Sequence, residues 1–203
     1  MAVLKPRSAE CASASLTVAG QTVCGDKYFV ADIPEGMLVA VVDGIGHGEE
    51  AAEVATQALA MVEQYKSETL PELASRCDEA LRGTRGVAMA LAAFNAEDHS
   101  VTWLGIGNVA GRIQRRVPSP QHPHETLLQR PGLIGDQRLP RLQTASVNIN
   151  RGDVLVLATD GVDPGFVKSI DTGEQVEQIA ETLLATHSTQ SDDALVFVIR
   201  YLG

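Results

Sequence analysis

Apolar residues in this chain recur with two periods, and the switches between them lay out its elements. Residues 37–42 read Met-Leu-Val-Ala-Val-Val without a break and stop at Asp43, the pattern of a strand buried on both faces. The loop Gly44-Ile-Gly-His-Gly48 follows. Apolar side chains then return at helical spacing (Ala51, Ala52, Val54, Ala55, Ala58, Leu59, Val62), which predicts a helix over 49–65 with acids in its first turn. A second helix is predicted over 70–81, with Pro71 tolerated at its start and Leu70, Leu73, Ala74, Cys77, Ala80 and Leu81 on its buried side. These two helices should pair and cover one face of a sheet.

The remaining pattern is mostly that of strands. Residues 1–10 read as an arm or first edge strand. Alternation over 13–19 predicts a strand that turns at Gly20-Gln21 and resumes over 22–24, and 27–31 forms another, so the chain should open as a run of antiparallel strands. Further strands are expected over 87–94, 100–106, 109–114, 142–149, 154–158 and 194–201, with a last helix over 173–187. Three prolines between Pro118 and Pro123 exclude a helix or central strand there and mark a loop. Nine or ten strands, two blocks of helix and hairpins instead of strict strand–helix alternation indicate an α+β fold. Two stacked sheets with helices outside bury every apolar stripe.

Composition narrows the setting. The chain has 203 residues, 44% of them hydrophobic, with mean hydropathy +0.01, enough for one domain with a sizeable core over 1–203. Cys11, Cys24 and Cys77 are odd in number and unpatterned, which points to a reducing compartment and away from a disulfide framework or zinc site. No apolar leader or membrane-length run is present, so a cytoplasmic protein without membrane contact is expected. A net charge of -10 argues against nucleic-acid binding. Arg112, Arg115, Arg116, Arg130, Arg138 and Arg141 nonetheless crowd one stretch, as a solvated loop or a docking surface for an acidic partner.

The candidate chemistry lies in carboxylates at the ends of apolar strands. Asp43 ends one, Asp160 ends another in Ala-Thr-Asp-Gly161, Asp192 and Asp193 precede a third, and Asp26 stands before Tyr28-Phe29-Val30. The Asp43 loop has neither G-x-G-x-x-G spacing nor a G-K-[ST] ending, and its leading Asp would repel a phosphate unless a cation intervened. Carboxylates gathered without His or Cys select hard cations such as Mg²⁺ or Mn²⁺.

In chain order, Gly25-Asp26, Asp43-Gly-Ile-Gly-His-Gly48, Thr84-Arg-Gly86, Gly105-Ile-Gly-Asn-Val109, Thr159-Asp-Gly161 and Asp192-Asp193 resemble the metal-dependent serine/threonine phosphatases of the PPM family. The likeness spans about 12–200 and is strongest to the SpoIIE-like branch, within it to RsbX-like stressosome phosphatases. It implies a four-layer α-β-β-α sandwich and two Mn²⁺ or Mg²⁺ ions. By position, Asp43 would bridge them, the Gly44 carbonyl would bind one, Asp160 and Asp192 would hold the second, and Asp26 would act directly or through water. Side chains alternate in a strand, so one of Asp192 and Asp193 should face the ions, Asp192 by the family pattern. The resemblance also implies hydrolysis of phosphoserine or phosphothreonine by activated water, with phosphorylated STAS-domain stressosome proteins and their switch kinase as partners and a monomer as the working state. Two features depart from it. Gln21 stands near the position of a phosphate-binding arginine, and Ile45 replaces the histidine that would serve as general acid, leaving His47 as candidate donor. A non-catalytic binding module of the same fold and a small-molecule phosphoesterase remain the alternatives.

Overall fold

The computed structural model describes residues 8–136, 139 and 141–203. In chain order the elements are β1 (Ala9–Leu16), β2 (Asp26–Ile33), β3 (Gly36–Gly44), α1 (Glu49–Gln64), α2 (Leu70–Ala80), β4 (Val87–Asn95), β5 (Ser100–Ile106), β6 (Ala110–Gln114), β7 (Glu125–Thr126), β8 (Gln129–Arg130), β9 (Ala145–Asn148), β10 (Val154–Ala158), a 3-10 turn Pro164–Lys168, α3 (Val176–His187) and β11 (Ala194–Tyr201). One sheet runs β1-β11-β10-β6-β7; the other runs β2-β3-β4-β5-β8, with β9 also paired to β5. Their pairings are antiparallel except for the two-residue match of β5 with β8.

Period-two alternation sorts each strand into two layers. Met37, Val39 and Val41 of β3 meet Leu155 and Leu157 of β10 and Leu195, Phe197 and Ile199 of β11 between the sheets. The alternate residues Leu38, Ala40 and Val42 pack outward against Val54, Ala55, Ala58 and Val62 of α1 and Leu73, Ala74 and Cys77 of α2. On the opposite side, Val154, Val156, Val196 and Val198 are covered by Phe166, Ile179, Ala180 and Leu183. The result is the four-layer α-β-β-α sandwich, with helices outside both sheets.

Several sequence-based expectations change. The opening strands are no meander: β1 pairs along its length with β11 in one sheet, while β2 and β3 form a hairpin in the other. Residues 22–24 form no strand, because that segment crosses between the sheets. β5 and β6 are likewise separated, with Gly107-Asn108 carrying the chain across. On α2 the buried side holds Asp78 instead of Ala80, and the Asp78 carboxylate accepts the Gly135 amide at 2.9 Å, which makes a polar residue tolerable there. The last helix starts at Val176, not 173, and two short strands occupy part of the arginine-rich stretch. Residues 1–7 and Arg138 lie outside the described residues.

Arg115 is no solvated arginine. It is 4% exposed, and its guanidinium donates to Asp153 Oδ2 at 2.9 Å, Asn148 O at 2.8 Å and Pro123 O at 2.9 Å. Asp153 in turn accepts the Arg116 and Asn150 amides. This knot joins β6, the proline-rich loop and the turn into β10. Asp153→Ala should therefore leave a buried cation uncompensated and cost about 3 kcal/mol in urea denaturation. Arg115→Met combined with Asp153→Leu should recover only part of that loss, because the charge is gone but the Arg116 and Asn150 amides and the Pro123 and Asn148 carbonyls lose their partners.

Candidate metal centre

At one end of the sandwich the inward-facing positions stop being apolar. After Met37, Val39 and Val41, the next inward position on β3 is Asp43; before Tyr28 and Val30 on β2, it is Asp26. The register places Asp26 directly opposite Asp43, and each is 8% exposed. Facing carboxylates repel, and burial removes the water that would screen them. Burial foremost, then the charges of Asp26, Asp160, Asp192 and Asp193, pushes Asp43 up to about 8. Burial likewise lifts Asp26 to about 7, against a lowering hydrogen bond from Thr159 and with further raising by Asp193, Asp160 and Asp192.

The other sheet brings the remaining carboxylates to the same end. Asp160 lies two residues past β10, and Asp192 and Asp193 directly precede β11, its antiparallel neighbour. Thr159 ties the sheets together: its hydroxyl donates to Asp26 Oδ2 at 2.7 Å and accepts the Leu195 amide at 2.8 Å. Asn108, on the crossing between β5 and β6, donates to Asp160 Oδ2 at 2.6 Å. Partial burial and then the Asp192 charge raise exposed Asp160 from its ordinary value, while Asn108 and nearby backbone amides pull it down.

Asp192 and Asp193 divide their work. Asp193 is 2% exposed and accepts the Val18 amide on Oδ1 at 2.8 Å and the Gly25 amide on Oδ2 at 2.7 Å. Both of its oxygens clamp the segment leading to Asp26. Asp192 is half-buried and accepts the Asp193 amide at 2.8 Å on one oxygen. Gly44 closes β3 under the first residues of α1, where a Cβ would strike the Ala51 carbonyl. His47 is exposed and does not cap α1, whose N-cap is Gly48. It lines a polar cleft with Gln21 and Arg85.

Asp26, Asp43, Asp160 and Asp192 thus share one electrostatic neighbourhood, as the strand ends suggested. Thr159, Asn108 and Arg85 stood inside the quoted segments, but their roles come from contacts between elements that no local pattern carries. The donors are all oxygen and their charges are poorly compensated, which fits a hard divalent cation. Among the described residues no three of these side chains already converge at ligating distance on one point. Burial pushes the three thiols up to about 12, so none is a thiolate nucleophile near neutral pH. A cleft of about 830 Å³ between β1 and α3 holds one carboxylate, Glu181, among its lining residues, and none of Asp26, Asp43, Asp160 and Asp192 lines it.

These shifts set a pH dependence. The folded chain keeps protons on Asp26 and Asp43 that the unfolded chain has lost, so its stability in EDTA should fall as pH rises from about 4 to about 8. Asp43→Asn should flatten that fall and make the metal-free protein more stable than wild type at pH 8.5 in thermal melts; an unchanged slope would contradict the assignment. Asp193→Ala, which orphans two amides, should cost about 2 kcal/mol by chemical denaturation. Asp192→Ala should cost far less.

Comparison with known proteins agrees with this architecture. The phosphoserine phosphatase RsbX of Bacillus subtilis (strain 168) is 27% identical over 185 residues, 91% of this chain and 90% of that protein. A chain from a structure of the bacterial stressosome, described as a modular system adapted to control secondary messenger signalling, superposes with TM-score 0.85 at 26% identity over 96% of this chain and all of that one. The crystal structure of RsbX in complex with magnesium gives the same TM-score at 24% identity over 98% of both chains, a likeness of fold. The family model for stage II sporulation protein E (SpoIIE) matches residues 34–202. The chain belongs to the SpoIIE family.

Proposed function

We propose that this chain is a metal-dependent protein phosphatase that hydrolyses phosphoserine or phosphothreonine on stressosome or partner-switching proteins. The observation that carries the reading is the meeting of Asp26 and Asp43 from one sheet with Asp160 and Asp192 from the other, in a setting that disfavours charge on Asp26, Asp43 and Asp160 until a cation arrives. In this reading Asp26, Asp43, Asp160, Asp192 and the Gly44 carbonyl hold two divalent ions, Mn²⁺ or Mg²⁺. Asp193 serves by holding the Asp26 segment in place. When bound, such ions acidify water and offset the charge of the phosphoryl oxygens.

The chain's own groups do the rest. Thr159 joins the reaction end of the two sheets by holding Asp26, and Asn108 holds Asp160 in orientation. Water attacks phosphorus, the bond from phosphorus to the seryl or threonyl oxygen breaks, and that oxygen takes a proton, for which exposed His47 is the candidate donor. The raised thiols favour direct attack by water over a covalent cysteine intermediate. The whole chain acts as one cytoplasmic domain and a monomer, on phosphorylated STAS-domain scaffold proteins and their switch kinase. The names of RsbX and of the stressosome chain support that choice of substrate class.

Phosphate release from a phosphoserine STAS-domain protein should require Mn²⁺ or Mg²⁺ and stop in EDTA. Asp43→Asn should lower the rate about 100-fold or more. Full activity in Asp43→Asn would overturn the mechanism, and equal turnover of free phosphoserine would move the substrate to small molecules.

A further inference from the structure

We propose that Arg85 is the phosphoryl-binding residue of this site, held ready by Glu50 and handed to the substrate when a phosphorylated side chain enters. The assignment rests on the phosphatase reading above and adds the group that recognises the substrate's charge.

Arg85 stands just before β4, at the sheet end that carries Asp43, since Asp43 pairs with Ala88 and Gly44 with Val87. Its guanidinium Nη1 donates to the Ile45 carbonyl at 3.1 Å, two residues beyond Asp43. The adjoining backbone is tied as well, with the Ile45 amide donating to the Gly86 carbonyl at 3.2 Å. Gly46 makes room for this arrangement: its φ is +90°, and a Cβ there would sit 2.6 Å from Arg85 Nη1. The loop that begins at Asp43 and the arginine are therefore shaped around each other.

The other arm of the fork, Nη2, pairs with Glu50 in the first turn of α1. That pair is exposed, with 37% of the arginine side chain and 77% of the glutamate side chain accessible, so it is weakly held and exchangeable. Both residues line a polar cleft of about 520 Å³ with Gln21, Thr22, Gly46 and His47. Arg85 is the one arginine or lysine among its described lining residues. A phosphoryl dianion entering this cleft meets the carboxylates of Glu49 and Glu50, and a planar guanidinium offers it two parallel hydrogen bonds that Glu50, with a single negative charge, does not outcompete.

Inorganic phosphate, titrated calorimetrically into the Mn²⁺-loaded protein, reads this directly. Arg85→Ala should weaken phosphate binding about 10- to 100-fold, and Arg85→Lys, which keeps the charge but loses the fork, should recover part of it. Glu50→Gln should act in the opposite direction and tighten phosphate, a result that loss of folding cannot mimic. Mn²⁺ affinity should be unchanged in all three. On the phosphoserine protein, Arg85→Ala should raise KM more than it lowers kcat. Wild-type phosphate affinity in Arg85→Ala would overturn the assignment, as would a parallel loss of Mn²⁺ binding, which would make the arginine a brace for the loop. If wild type released no phosphate from any phosphoserine protein while phosphate binding still depended on Arg85, the phosphatase reading would fail and the anion site would stand.

Discussion

Two buried carboxylates facing each other across neighbouring strands are an unfavourable arrangement, and the rest of this structure serves to keep them there. Asp26 and Asp43 occupy positions that period-two alternation reserves for the core, at the mouth of the layer between the sheets. A core side chain at either place would add to stability. Their charge instead costs the metal-free fold stability at neutral pH, a common signature of a functional site. The surrounding contacts are organised against that repulsion. Thr159 holds Asp26 from the opposite sheet, and Asp193 clamps the preceding backbone through Val18 and Gly25.

The sandwich makes this constraint possible. Apolar layers on both faces of each sheet make the strand ends rigid, and a rigid end positions a carboxylate more accurately than a mobile loop could. Two sheets then bring together groups that are more than a hundred residues apart in the chain. The crossing at Gly107-Asn108 contributes to both purposes, since it carries the chain between sheets and supplies the hydrogen bond that orients Asp160. Arg85 adds a positive counterpart beside an otherwise acidic opening, joined to the Asp43 loop through Ile45.

Much of this was legible along the chain, for a physical reason. β3, β10 and β11 are apolar runs buried on both faces, and α1 has a wide apolar stripe, so local pattern and tertiary role coincide. Asp43 and Asp160 stood out because a carboxylate at the edge of such a run breaks that pattern. β1 was read with the wrong partner, because its small, mixed residues specify no face and its neighbour β11 begins 178 positions after its end, from Leu16 to Ala194. Asp78 was missed as a buried residue because its partner is the backbone amide of Gly135, which leaves no local trace. Alternation predicted that Asp192 and Asp193 would part. The two amides that claim Asp193 became visible only once the chain was folded.

The position of bound divalent ions tests the carboxylate cluster most directly. Anomalous diffraction from crystals grown with Mn²⁺ should show density bounded by Asp26, Asp43, Asp160 and Asp192, with Asp193 still engaged by Val18 and Gly25. Mn²⁺ bound elsewhere at saturating concentration, with Asp43 making no contact to it, would contradict the account.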